Sequence, residues 1–241
     1  MFLFDAPVGA AYHLVTALAT MFHPVFGGPA TAAAIVLFTL GIRLLLLPLA
    51  VAQARGERAR ARLAPQVGLL REKHAGNPER AQREISALYA AEGASMFAGC
   101  LPALAQWPFF AIMYRLFVSA SVAGGPNVLL AHTLLGAPLG QNLTGVVGTF
   151  GLLSPEALVF FGLLTLIAAV AWWSSRRMRA ATATAGDAGT GAAGRVLRLL
   201  PYGTVAMAAL VPLAAGLYLL TSTAWTAAER ALLRRDVALA A

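Results

Sequence analysis

The 241 residues are 59% hydrophobic and only 12% charged, a composition outside the range of soluble globular domains. The formal net charge is +8, and a single cysteine, Cys100, excludes an intrachain disulfide and a thiolate metal cluster. Several stretches of about 20 residues lack charge, and a helix of that length crosses roughly 30 Å of hydrocarbon. The composition therefore predicts an all-α polytopic membrane protein.

The N-terminal segment, residues 1–30, contains no lysine or arginine. It lacks the positively charged start and apolar core of a secretory signal, so no cleaved signal is predicted.

The 18 basic residues fall into three clusters, at residues 55–83, 176–198 and 230–235, with Arg43 and Arg115 alone inside apolar segments. Cytoplasmic loops are rich in lysine and arginine, so the clusters are predicted to be cytoplasmic and the segments 1–40 and 117–175, which lack both, to lie outside. The N-terminus is then outside and the C-terminus cytoplasmic. If residues 121–155 crossed the membrane, the second cluster would lie outside, so we reject that topology.

Five spans satisfy this charge pattern. Both ends of the apolar stretch 197–233 must be cytoplasmic, so it holds two short spans turning near Val211 and Pro212, which fits a locally thinned bilayer. The predicted organisation is outer segment 1–30, span 31–51, cytoplasmic hairpin 52–95, span 96–120, outer loop 121–155, span 156–173, cytoplasmic loop 174–196, two spans in 197–233 and cytoplasmic tail 234–241.

The loop 52–95 has the pattern of two helices meeting at the turn sequence HAGNPE. Pro78 after Asn77 suits the start of the second helix, because the first turn does not need the amide that proline lacks. The pattern therefore predicts an antiparallel helical hairpin. Such a hairpin can be a solvated connector, but its length and basic surface also suit contact with acidic lipid, RNA or a polypeptide.

The residue of greatest interest is Arg43, which lies 12 residues before Arg55 and so about 18 Å along a helix from it. An arginine at the centre of a span costs at least about 2.5–3.5 kcal/mol, so it should face protein or water. A structural ion pair is one interpretation, but Glu156 and Glu229 lie near span ends. A hydrated cavity that attracts acidic or polar chain is the interpretation we favour.

Pro48 removes a backbone donor and is expected to kink the first span near its cytoplasmic end. Gln53, Gln106 and Thr165 are candidates to line a polar groove with Arg43. Each of these three also suits packing or hydrogen bonding between membrane helices.

Two other functional classes remain open. A small-solute transporter or channel would use Arg43 as an anion site, and internal repeats would favour it, but the sequence has none. An intramembrane enzyme would need paired acid and base groups within the spans, where carboxylates and histidines are scarce. The phosphate-loop, HExxH and GxSxG motifs are missing and the four histidines are scattered, so no cofactor, nucleotide or metal is predicted.

The sequence resembles the YidC-type family of bacterial membrane protein insertases. The resemblance rests on the span with Arg43 and Pro48, on the hairpin with Pro65-Gln66 and LYAAEG, and on GCLPALAQWPFFAIMYRLF and VPLAAGLYLLTSTAWT. In the last two motifs Pro102, Pro108, Pro212 and Gly216 are expected to be structural.

This resemblance implies five transmembrane helices around a hydrophilic groove, with Arg43 receiving polar segments of substrates. It implies an outer amphipathic helix over residues 6–22 and a non-enzymatic insertase and folding chaperone of the cytoplasmic membrane. The implied partners are nascent membrane proteins, the ribosome, the Sec translocation channel and the lipid bilayer, with no specific nucleic acid. Leu219, Thr223 and Glu229 depart from the family pattern, and we interpret them as marks of a divergent paralogue.

Overall fold

The computed structural model of the chain describes residues 5–93, 101–122, 124–184 and 202–238. Side chains are described in these ranges except at residue 60 and at residues 101–106, 178–184 and 233–238. The prediction of a mostly helical fold is confirmed. The helices are α1 (Asp5–Phe26), α2 (Ala30–Leu45), α3 (Leu47–Lys73), α4 (Pro78–Ala91), α5 (Leu101–Val118), α6 (Leu143–Phe150), α7 (Pro155–Thr184), α8 (202–210) and α9 (Leu213–Ala238).

Two compact units make up the chain. The first comprises Met1–Arg43 with Phe110–Ala231, and the second comprises Leu44–Phe109 with Leu232–Ala241. The core of the first unit is apolar, and its largest fully buried side chains include Ile35, Leu116, Phe117, Phe160 and Leu213.

Helix α1 covers the predicted amphipathic helix and extends to Phe26. Its buried side chains Val8, Ala11, Val15 and Ala19 are three or four residues apart, the spacing that places them on one face. Asp5 in its first turn forms an ion pair with Arg115 in the last turn of α5, at 2.7 Å between Oδ1 and Nη2. The start of α1 and the end of α5 therefore lie side by side.

The predicted outer loop folds into small elements. Two antiparallel hairpins, Ser121–Val122 with Gly125–Pro126 and Thr133–Leu134 with Ala137–Pro138, flank a short 3-10 helix, Val128–Ala131, and α6 follows. In the second hairpin Leu135 and Gly136 both have positive φ, the conformation of a tight two-residue turn.

Gly140 lies very close to Leu130 of the same loop. A Cβ at this position would lie 2.9 Å from both the Cβ and the carbonyl oxygen of Leu130, and the Gly140 amide donates to that carbonyl at 3.0 Å. We expect Gly140→Ala to reduce the free energy of unfolding by about 1–3 kcal/mol, because backbone must move to admit the methyl group. Gly148→Ala in α6, where a Cβ would contact nothing within 4 Å, is the matched control and should leave thermal stability in detergent unchanged or raised. Equal effects of the two substitutions would contradict this packing argument.

Helix α7 is long and apolar enough to cross a membrane by itself, over Pro155–Arg177. Among the described residues, α2 and α3 meet that criterion only when taken together as one broken span. At the far end of the α7 segment, Arg176 lies over the ring of Trp172 at 4.0 Å and Arg177 over that of Trp173 at 4.4 Å.

Helices α8 and α9 are separated at Val211 and Pro212, the predicted turn, and α9 continues into the predicted tail as far as Ala238. The first amides of α9 are capped by the outer loop: Leu213 donates to the Gln141 carbonyl at 2.9 Å and Ala214 to the Leu139 carbonyl at 3.0 Å. At Gly216 a Cβ would lie 2.6 Å from Cδ2 of Leu163, so glycine allows α9 to approach α7 closely.

The first predicted span is interrupted. Leu46 separates α2 from α3, and Pro48 lies in the first turn of α3, where its missing amide has no helical role. Pro108 lies inside α5. The side chain of Pro102 and residues 185–201, which include most of the predicted cytoplasmic loop, are outside the described part of the chain.

The second unit contains the predicted hairpin, formed by α3 and α4. Asn77 caps α4 by accepting a hydrogen bond from the Arg80 amide at 3.0 Å, and Pro78 follows as predicted. Leu63 and Val67 on α3 and Ala81 and Ile85 on α4 are buried. The hairpin thus has a small apolar seam between charged outer faces.

A side-chain hydrogen bond joins the two helices of the hairpin near their turn. Nε2 of His74, whose side chain is largely buried, lies 2.9 Å from Oε2 of Glu84. The hydrogen bond from His74 lowers the pKa of Glu84. A carboxylate with a lowered pKa stabilises the fold above its ordinary value of about 4.3, and that contribution disappears as the pH falls through the lowered pKa.

Glu84→Gln should therefore loosen the hairpin at neutral pH and make it less sensitive to acid. Spin labels at the exposed residues Leu69 and Ala87 would report this as a broader distance distribution. Glu79→Gln removes a highly exposed carboxylate of the same helix and is the control. If both variants broadened the distribution equally, the His74 contact would have no special role.

Candidate functional site

Arg43 lies in the last turn of α2 and is half-buried. Its Nε and Nη2 atoms both donate to the hydroxyl oxygen of Ser222 on α9, at 3.2 and 2.8 Å. Ser222 is 5% exposed. A hydroxyl buried at the helix contact therefore holds one edge of the guanidinium group.

The face of α9 that Arg43 meets is polar at regular intervals. Tyr218, Ser222, Trp225 and Glu229 follow at steps of four, three and four residues, so they share one face. Tyr218 packs near the rings of Phe110 and Phe117, with ring centres 6.3 and 6.2 Å away.

Glu229, a carboxylate, lies on this face of α9 about two helical turns beyond Ser222. Its Oε2 atom accepts a hydrogen bond from Nε1 of Trp225 at 2.9 Å, one helical turn before it. The charge of Arg43 is thus partly balanced from the same face of α9, although its contacting partner is a hydroxyl.

The guanidinium group of Arg43 has N–H donors that Ser222 does not use. Arginine has five N–H donors, and the two bonds to Ser222 use one at Nε and one at Nη2. Within the described residues the remaining donors have no hydrogen-bond acceptor. A fixed guanidinium with open donors is suited to a carboxylate or to backbone carbonyls of a passing chain.

The lining of a groove by the other predicted residues stays a prediction. Thr165 on α7 is exposed, and its hydroxyl donates to the carbonyl of Phe161 in the same helix at 2.7 Å. Gln53 belongs to the second unit, where its Nε2 atom donates to Oε1 of Glu57 at 3.2 Å. The side chain of Gln106 lies outside the described residues, so its place in the groove stays a prediction.

Sequence reasoning missed Ser222 and Tyr218. The stretch LYLLTSTAWT carries several hydroxyl residues, and Thr221, Thr223 and Thr226 each donate to their own helix backbone. The signal available in the sequence is the helical spacing of Tyr218, Ser222, Trp225 and Glu229. This spacing marks the face of α9 towards Arg43.

Known proteins are similar in sequence to this chain. The sequence model of the family described as 60Kd inner membrane protein matches residues 21–239. Three curated relatives carry the name Membrane protein insertase YidC. The protein of Acidiphilium cryptum is 36% identical over 60% of this chain and 24% of its own length. That of Clostridium perfringens is 36% identical over 39% of this chain and 40% of its own length. That of Granulibacter bethesdensis is 36% identical over 50% of this chain and 20% of its own length. The matched part thus spans less than half of each relative.

Proposed function

This chain belongs to the 60Kd inner membrane protein family, and from that premise we propose that it is a membrane protein insertase and folding chaperone. The relatives' printed name supports this activity. The observation that carries the proposal is Arg43, a half-buried arginine in an apolar helix, fixed by Ser222 with donors left open. The comparisons do not favour the alternative of a small-solute transporter.

We propose five spans, with the N-terminus outside and the C-terminus cytoplasmic. The Asp5–Arg115 ion pair supports a common side for the start of α1 and the end of α5. The stacked Trp172–Arg176 and Trp173–Arg177 pairs support a cytoplasmic end for α7, because tryptophan and arginine favour the interface and the inner side.

In this mechanism Arg43 holds an acidic or polar segment of the substrate while that segment crosses a thinned part of the bilayer. The open donors of Arg43 satisfy groups that would otherwise face hydrocarbon without partners. Ser222 orients the guanidinium group, and the nearby charge of Glu229 weakens its hold on an acidic segment. Moderate binding allows the segment to leave again.

The substrate's apolar span then moves into lipid, and its burial at about 25 cal/mol per Å² drives release. No bond is made or broken, so the proposed activity is not enzymatic and needs no nucleotide or metal. The charged faces of the hairpin α3–α4 support contact with incoming chains, with the ribosome and the Sec translocation channel as further proposed partners.

The test is insertion of a radiolabelled single-span protein with a short acidic outer tail into proteoliposomes that contain the purified chain. Protection of the tail from added protease measures insertion. We expect protection well above that in empty liposomes, with no added nucleotide. Protection no greater than in empty liposomes would overturn the proposed function.

A further inference from the structure

An open apolar groove of about 520 Å³ runs beside the first part of α2. On α2 it follows one helix face, formed by Pro29, Ala32, Ala33, Val36, Leu37 and Leu40. Phe22 and Phe26 at the end of α1 form its other side. Its lining is apolar throughout and has no part in the contacts of Arg43.

The length of the groove indicates what fits it. From Pro29 to Leu40 the helix rises about 16 Å, which is close to half of the roughly 30 Å hydrocarbon core. The groove starts at the outer end of the proposed first span. A membrane-spanning segment would need a contact face about twice as long, whereas an acyl chain of one leaflet matches it.

A second pocket, of about 190 Å³, lies at the same end of α2. Its polar lining comes from His23 and His132 together with Thr16, Thr20 and Thr31. Gly27 and Gly28 border this pocket and Pro29, the next residue, borders the apolar groove. In the proposed topology the two cavities therefore adjoin at the outer end of the first span.

Both histidines have side-chain nitrogens available to a ligand. His132 places Nδ1 2.8 Å from the carbonyl of Val128, so this nitrogen donates to the backbone and Nε2 is left for another partner. His23 is exposed in the last turn of α1. Thr16 and Thr20 donate their hydroxyl hydrogens to the backbone of their own helix, so the imidazole nitrogens are the groups that suit a lipid phosphate.

We propose that the pocket at His23 and His132 and the apolar groove form one site for a single phospholipid of the outer leaflet. Its headgroup phosphate lies against His23 and His132, and one acyl chain lies along α2 from Pro29 to Leu40. An acyl chain gains no hydrophobic free energy on moving from bulk lipid into the groove, so the headgroup contacts and the shape of the groove provide the preference. The site is separate from the Arg43 cluster and does not depend on insertase activity.

The experiment uses the full chain in vesicles of phosphatidylethanolamine and phosphatidylglycerol, with a trace of phosphatidylethanolamine that carries a diazirine on its acyl chain. After illumination, mass spectrometry locates the cross-linked residues. Ala33→Phe fills the groove, and Ala169→Phe on the exposed surface of α7 is its control. His23→Ala with His132→Ala removes the headgroup contacts, and His13→Ala on α1 is its control.

We expect cross-links to concentrate on the α1 and α2 residues of the groove. Their yield should fall about tenfold in the double histidine variant, the effect of losing hydrogen bonds to a charged group, and should not change in either control. The histidines are exposed, so this variant keeps the test valid even if Ala33→Phe does not fold. Cross-links equally dense on the exposed face of α7, or unchanged in the histidine variant, would mean ordinary surrounding lipid and overturn the proposal. The assay contains no substrate protein, so either result is independent of the insertion assay.

Discussion

Arg43→Ala is expected to reduce protease protection of an acidic-tailed substrate by about tenfold or more. A change of this size corresponds to the loss of a hydrogen bond to a charged group. Arg43→Lys should retain part of the activity, because an ammonium group keeps the charge but lacks the planar fork that binds Ser222 and a carboxylate together.

Two controls separate the role of this arginine from a loss of positive charge or of fold. Arg115→Ala removes the same charge from an arginine that pairs with Asp5, and should leave protection unchanged. A substrate whose tail acids are replaced by amides should depend less on Arg43. Protection that survives Arg43→Ala would leave the insertase activity standing and exclude the arginine from it.

The largest effect on stability is expected for Asn127→Leu. Asn127 is 5% exposed, and its Nδ2 atom donates to the carbonyls of Leu116 and Ser119 while its Oδ1 atom accepts from the Leu129 amide. Leucine would leave three backbone groups without these partners. At about 1–3 kcal/mol for each buried unsatisfied group, the loss is on the order of 3–5 kcal/mol.

Thermal unfolding in detergent micelles, followed by tryptophan fluorescence, would measure this effect. Asn142→Leu is the matched control, since Asn142 also caps a helix, accepting from the Gly145 amide at 2.9 Å, but is more exposed. Water can replace a cap at such a site, so its loss should cost only about 1 kcal/mol. Similar shifts in the two variants would show that burial does not govern the contribution of these caps.

Local signals made part of the fold predictable. Asn77 with Pro78 predicts where α4 begins. The Asn77 side chain accepts from the Arg80 amide, and Pro78 lacks an amide where the helix does not need one, so both signals lie within four residues. A break between α8 and α9 lies at Val211 and Pro212, where charge at both ends of the stretch and its length predict a turn, and the two spans stay a prediction. Pro48 indicated a disturbance in the first span, but the break itself lies at Leu46.

The contacts that the sequence does not reveal join distant residues. Arg43 and Ser222 are 179 positions apart, and one hydroxyl among several in the final helix gives no local sign of its partner. The outer loop was predicted only as an interrupted segment, since its hairpins depend on Asn127 and Gly140 meeting backbone elsewhere. The lining of the groove by Gln53, Gln106 and Thr165 stays a prediction.

The carbonyls of Leu139 and Gln141 cap the first amides of α9. They couple the fraying of this helix to the movement of the loop. The first amides of a helix have no partner within the helix, and side chains or water often satisfy them. Here fraying of α9 requires the loop to lift, so the start of the helix and the loop should open together, on one timescale. The amides of Leu213 and Ala214 should then exchange with solvent deuterium at a common, slow rate, and an outward force on the loop would be transmitted directly to the helix that carries Ser222.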